Sequence, residues 1–139
     1  MKKLIVLSII ALSLAATFSA CTTYEEGPAF TVIPAESRIK GTWNQVEWYV
    51  NDELQDNTFI VNFTFNSDGT GSQTVTWGGI TDTNDIDWEF NDDKTLIMFK
   101  NTDAEEWDEA TVKRLTTKEL WIVEDAGLFG IWEFRYEKV

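Results

Sequence analysis

From Arg38 onward the chain alternates apolar and polar positions in short runs, each closed by a turn signal. Eight such runs can be marked: Gly41–Asn51, Asn57–Asn66, Ser72–Gly78, Asp85–Asn91, Thr95–Asn101, Glu106–Leu115, Glu119–Asp125 and Leu128–Lys138. Phe59, Val61, Phe63 and Phe65 share one face of the second run. Ile86, Trp88 and Phe90 share one face of the fourth, with Asp87 and Glu89 opposite. A period of two, rich in Val, Ile, Thr and aromatics, predicts β-strands. Ser67-Asp68-Gly69-Thr70-Gly71, Gly79–Asn84 and Asn91-Asp92-Asp93-Lys94 predict the tight turns between them. No window carries a capped helical period, and Asp103–Trp107 adds at most one turn.

Eight short strands with short connections predict an all-β fold, an eight-stranded antiparallel up-and-down meander. Closing it into a barrel removes its exposed edges. A two-sheet sandwich is the alternative. The first run has a phase break: Trp43 alternates with Gln45 and Glu47, whereas Val46, Trp48 and Val50 form another set. A β-bulge near Asn44-Gln45 would put Trp43 and the later set on one face. The interior is then predicted to hold Trp43, Val46, Trp48, Phe63, Phe65, Trp88, Phe90, Ile122, Trp132 and Phe134. In the seventh run Leu120 and Ile122 compete with Trp121 and Val123 for the inside. Trp43, Trp48, Phe63, Phe65, Trp88, Phe90, Trp132 and Phe134 are also the candidate ligand-binding side chains. Rings in strands serve as core or as walls of an apolar site, and the pattern leaves both open.

The first 21 residues read differently. Lys2 and Lys3 precede an apolar run from Leu4 to Ala16, and Thr17-Phe18-Ser19-Ala20-Cys21 ends the stretch. This order is that of a secretory signal, and it resembles a bacterial lipoprotein signal, with Phe18 where a smaller aliphatic residue is usual. The resemblance implies lipidation at Cys21 and membrane attachment through that lipid. The expected organisation is a signal peptide over 1–20, a lipidated tether over 21–36 and a β-barrel domain over 37–139. Pro28 and Pro34 both lie in the tether. Glu25 and Glu26 resemble the surface-export signals of Bacteroidetes lipoproteins, or are simply part of a solvated tether.

Composition narrows the function classes. The leader takes two of the 11 basic residues, leaving nine against 24 acidic ones and a net charge of −15. Phosphate backbones repel such a chain, so no nucleic-acid partner is expected. There is no histidine, and Cys21 is the only cysteine. His-based triads and most transition-metal sites are thereby excluded, and no cofactor, metal or enzymatic activity is expected. Asn66–Gly71 superficially resembles a calcium loop but lacks the downstream bidentate acid, and a Gly-containing hairpin turn accounts for it. The clusters Glu105, Glu106, Asp108, Glu109 and Asp82, Asp85, Asp87 read as solvated faces.

Gly41-Thr42-Trp43 opening the first strand, Phe63–Gly71 around the second hairpin, Asp92–Leu96, Leu115–Trp121 and the closing Phe134-Arg135-Tyr136-Glu137-Lys138 together resemble the lipocalin-like domains of Bacteroidetes lipoproteins over residues 37–139. The resemblance implies a lipocalin-like barrel closed at one end by Gly41, Trp43 and Arg135, with Arg114 as the rival cation. It implies a protein lipid-anchored in the bacterial cell envelope, at the outer membrane, that binds a small apolar or amphipathic ligand. The alternative is a non-enzymatic interaction or accessory protein of an envelope complex, using the barrel exterior to meet its protein partner.

Overall fold

The computed structural model describes residues 24–139; the leader and Cys21 lie outside the described residues. A helix α1 (Ala35–Ile39) precedes nine strands: β1 (Gly41–Val50), β2 (Glu53–Leu54), β3 (Phe59–Phe65), β4 (Thr70–Trp77), β5 (Ile80–Phe90), β6 (Leu96–Asn101), β7 (Asp108–Leu115), β8 (Glu119–Asp125) and β9 (Ile131–Lys138). Each strand from β3 to β9 pairs antiparallel with the next, and β1 pairs with both β3 and β9. The expected eight-stranded antiparallel meander barrel is therefore closed. β2 is a two-residue flap on the upper half of β1, through Tyr49↔Leu54 and Val50↔Glu53.

The seam between β1 and β3 is short. Only Gly41, Thr42 and Trp43 pair with β3. Beyond them side chains replace the ladder: the Gln45 amide donates to Phe59 O (2.9 Å) and accepts from Val61 N (2.8 Å), and Asn62 Oδ1 accepts from Gln45 N (2.9 Å). Two amides thus meet backbone groups that a missing strand partner would leave open.

The bulge in β1 is present, but its extra residue is Val46. Gln45 faces Tyr136 and Glu47 faces Arg135, so Val46 has no partner and turns outward at 39% exposure. The predicted interior place for Val46 is wrong for that reason, whereas Trp43 and Trp48 face inward on either side of it. In β8 the inward pair is Leu120 and Ile122.

Three local expectations also differ. The turn placed over Gly79–Asn84 is only Gly78-Gly79, and β5 starts at Ile80. Its polar first half extends past the rim, held by threonine pairs Thr74–Thr83 (3.0 Å) and Thr76–Thr81 (2.9 Å) across the hairpin. Asp103–Trp107 forms no helical turn; the Lys100 ammonium donates to Ala104 O (2.9 Å) and lies 5.2 Å from the Trp107 ring centre. Residues 127–129 form a 3-10 turn instead of the start of the last strand.

Part of the expected tether is packed. Tyr24 is buried, Glu26 N donates to Lys113 O (2.8 Å), and Leu115 N donates to Gly27 O (3.3 Å). α1 is too short to be stable by propensity. It is held as a plug: Glu36 pairs with Lys94 (2.7 Å), and the buried Arg38 donates to Leu115 O. This plug and the turns before β4, β6 and β8 make one closed end. The turns before β2, β5, β7 and β9 surround the other end, the mouth.

Candidate functional site

Inward positions divide the lumen into two storeys. In the closed half the rings touch one another. Phe63 lies 5.3 Å from Phe65 and 5.2 Å from Phe99, Phe65 lies 5.3 Å from Trp88, and Trp88 lies 5.9 Å from Phe90. Trp43 is fully buried against the plug, its indole N–H donating to Ile39 O (2.6 Å). Trp88 donates to Thr70 O (2.9 Å). These contacts place Trp43, Phe63, Phe65, Trp88 and Phe90 in packed core rather than beside free volume.

The upper half is open. A cavity of about 200 Å³ lies there, walled by Phe59 and Val61 of β3, Gln73 and Val75 of β4, and Phe99 of β6. Asp108 of β7, Glu124 of β8 and Trp132, Phe134 and Tyr136 of β9 complete it. Of the candidate ligand-binding rings, Trp132 and Phe134 line this space. Trp48 stands behind them, 5.5 Å from Trp132 and stacked 6.1 Å from Phe134. A larger cleft of about 520 Å³ lies outside the lumen and is lined by the charged residues Lys118, Glu119, Glu137 and Lys138.

Polar groups in the upper lumen are few. Glu124 follows Leu120 and Ile122 on the inward face of β8, pairing with Trp132. Burial, with the Asp108 charge adding to it, pushes its carboxyl up to about 7. Tyr136 is buried, and its hydroxyl has no hydrogen-bond partner among the described residues. Burial holds its pKa far above the usual phenol value. Sequence reasoning missed Glu124 and Tyr136. The alternation Leu120, Ile122, Glu124 carries the signal once the phase of β8 is known.

The barrel-closing arrangement is also different. Trp43 pairs with Lys138, and the Lys138 ammonium sits 4.8 Å from the Trp43 ring centre. It donates to Arg38 O (2.7 Å) and Lys40 O (2.6 Å). Gly41 lies against the Lys138 side-chain methylenes. Arg135 is outside, because Phe134 and Tyr136 take the inward positions flanking it. Its guanidinium lies 4.0 Å from the Trp121 ring and 4.6 Å from the Tyr49 ring, and it bonds Glu133 (2.8 Å) and Glu47 (3.2 Å). Arg114 is outside as well, paired with Glu119 (2.7 Å). The cation over Trp43 is therefore Lys138, and neither arginine closes the end.

No group of three or more potential metal ligands occurs among the described residues. None of the described helices is long and apolar enough to cross a membrane. No protein-family model matches the chain, and no curated protein does. Among solved structures, the chain is similar to an odorant-binding protein from bovine nasal mucosa, at 12% identity over 79% of this chain and 77% of that one, with a TM-score of 0.46. It is similar also to bovine odorant-binding protein complexed with its natural ligand, at 14% identity over 83% and 77%, with a TM-score of 0.45. Likeness at this level is one of form. The fold assignment rests on the closed strand ladder itself.

Proposed function

We propose that this protein is a lipid-anchored binding protein whose upper lumen holds one small amphipathic molecule. The observation that carries the reading is the 200 Å³ space between Phe59, Trp132 and Phe134 in a barrel whose other half is solid. An apolar cavity of about 150 Å³ is enough to bind benzene, whereas drug-sized ligands occupy roughly 300–1,000 Å³. The size supports a single ring with a short tail and excludes a long acyl chain.

The proposed anchor fits this use. Tyr24 is packed at the closed end and lies three positions after Cys21, a reach of about 10 Å at full extension. Lipid on Cys21 would hold the closed end near the membrane and turn the mouth away from it. The setting we propose is the outer membrane of a bacterial cell envelope.

Titration of intrinsic tryptophan emission tests the binding reading, since Trp132 lines the cavity and Trp48 packs on it. Saturable shifts are expected with 2-phenylethanol or indole, and none with palmitate. Val75→Trp, which fills the cavity, should abolish them. Flat titrations with every single-ring compound would contradict the reading.

A second reading has its own observation. Trp77, Ile80, Leu128, Phe129 and Ile131 are exposed at the mouth end, Trp77 at 73% and Phe129 at 76%. Exposed apolar groups of this kind mark docking surfaces. An accessory protein of an envelope complex would dock there with its lumen empty.

A further inference from the structure

Glu124 is the one carboxylate set among the rings of the cavity, and Asp108 stands beside it at the exposed rim. The Tyr136 hydroxyl is buried without a hydrogen-bond partner among the described residues, and the half-buried Glu124 carboxylate has no ion-pair partner among them. No lysine or arginine lines the space. Glu124 is half-buried, and a carboxylate partly withdrawn from water into an apolar wall gains from a cationic partner. The described residues place none beside it.

Resting on the lumen reading above, we propose that the ligand is a small organic cation: a protonated amine on an apolar body of about one ring, its ammonium against Glu124.

Three further features agree. The faces of Trp132, Phe59 and Phe134 attract an ammonium through their quadrupoles, and these rings line the same space. The whole chain carries a net charge of −13, which concentrates cations at its surface and repels anionic amphiphiles. Two carboxylates are too few for calcium, which takes six to eight oxygens, and no larger cluster of potential metal ligands is present among the described residues. Gln73 and Tyr136 add hydrogen-bonding groups deeper in the cavity, for a polar substituent on the far side of the ring.

The pairing makes binding depend on pH. The titratable groups facing Glu124 are Asp108 from β7 and Tyr136 from β9; β3, β4 and β6 present Phe59, Val61, Gln73, Val75 and Phe99, none of which titrates. Protonation of Glu124 removes the counter-charge, so affinity for an amine should fall as the pH drops below about 7.

Calorimetric titration of the full-length protein with 2-phenylethylamine, 2-phenylethanol and 3-phenylpropionate tests this. At pH 8 the amine should bind at least about tenfold more tightly than the alcohol, in line with a desolvated charged pair, and the acid most weakly. Between pH 8 and 5.5 amine affinity should fall by about tenfold or more, while alcohol affinity stays level. Glu124→Gln should erase the amine's advantage and keep alcohol binding, which shows the lumen intact. Asp108→Asn should reduce the advantage in part. Equal binding of amine and alcohol by the wild type, or an unchanged preference in Glu124→Gln, would overturn the cation proposal and leave the lumen reading standing. Absence of binding by all three would overturn both. The wild-type comparison depends on no variant's folding.

Discussion

Glu124 pairs with Trp132 across β8 and β9, and its carboxyl titrates near pH 7 because burial disfavours the charge. In the unfolded chain the same group titrates near 4.5. The folded state therefore holds a proton between those values that the unfolded state has lost. Stability contributed by this group is full below about 4.5, declines as pH rises through the window and is gone above 7. The shift corresponds to at most about 3 kcal/mol. Urea unfolding at pH 5 and pH 8 should show the wild type losing about 2–3 kcal/mol between them, and Glu124→Gln losing far less. Parallel losses in the two proteins would contradict the assignment. Lys138 makes a second residue-scale case. Its ammonium satisfies two backbone carbonyls at the closed end, so Lys138→Met should cost about 1–3 kcal/mol in the same assay. No loss would show those carbonyls to be met by water.

At the scale of elements, the β3–β4 pairing depends on one absent side chain. Gly71 faces Phe65 in the register, and a Cβ there would lie 2.0 Å from Thr64 O. Backbone oxygen cannot swing aside as a side chain can. Gly71→Ala should destabilise the barrel by about 2–3 kcal/mol or prevent folding, read by thermal melting. A melting temperature unchanged within a degree would contradict the geometry. Gly130 has a parallel constraint: its φ of 91° is left-handed, and Asn51, whose Oδ1 accepts from Ile131 N (3.0 Å), occupies the space a Cβ would need.

Strand order and closure were legible in the sequence because half-buried strands alternate strictly and turns carry Gly, Asn and Asp. The failures have particular causes. Val46 looks interior by apolarity, yet a bulge leaves one residue unpaired, and pairing rather than hydropathy decides which one. α1 has five residues and no side-chain cap, so contacts with distant residues such as Trp43, Lys94, Leu115 and Lys138 define it. Gly79–Asn84 looks like a turn because the hairpin from Ile80 onward carries polar, exposed residues, where a strand needs no apolar face.

For the molecule as a whole, the aromatic abundance proves to serve two purposes. Most of the candidate rings fill the closed half and hold the wall, while Trp132 and Phe134 also border free space. Composition alone could not separate these roles, because the division depends on which end the plug occupies. The polar groups of the site were hidden for a similar reason. Glu124 is one acid among 24, and only its phase within β8 sets it apart. Charge acts at this scale too. With a net charge of −13, association with a cationic ligand should slow as salt rises from 20 to 500 mM, by roughly tenfold at most for steering at a mouth this small. Stopped-flow tryptophan emission measures it, and a rate independent of salt would show that the field plays no part.

The central claim is that a ligand enters the lumen. Backbone amide shifts in a ¹⁵N–¹H correlation spectrum, followed during titration with 2-phenylethylamine, report this most directly. The account predicts that the largest changes fall on the inward positions of the upper barrel, at Phe59, Val61, Gln73, Val75, Glu124 and Trp132, with Trp43 and Phe65 at the closed end unmoved. Changes confined to the exterior around Trp121 and Arg135, or no saturable change anywhere, would contradict it.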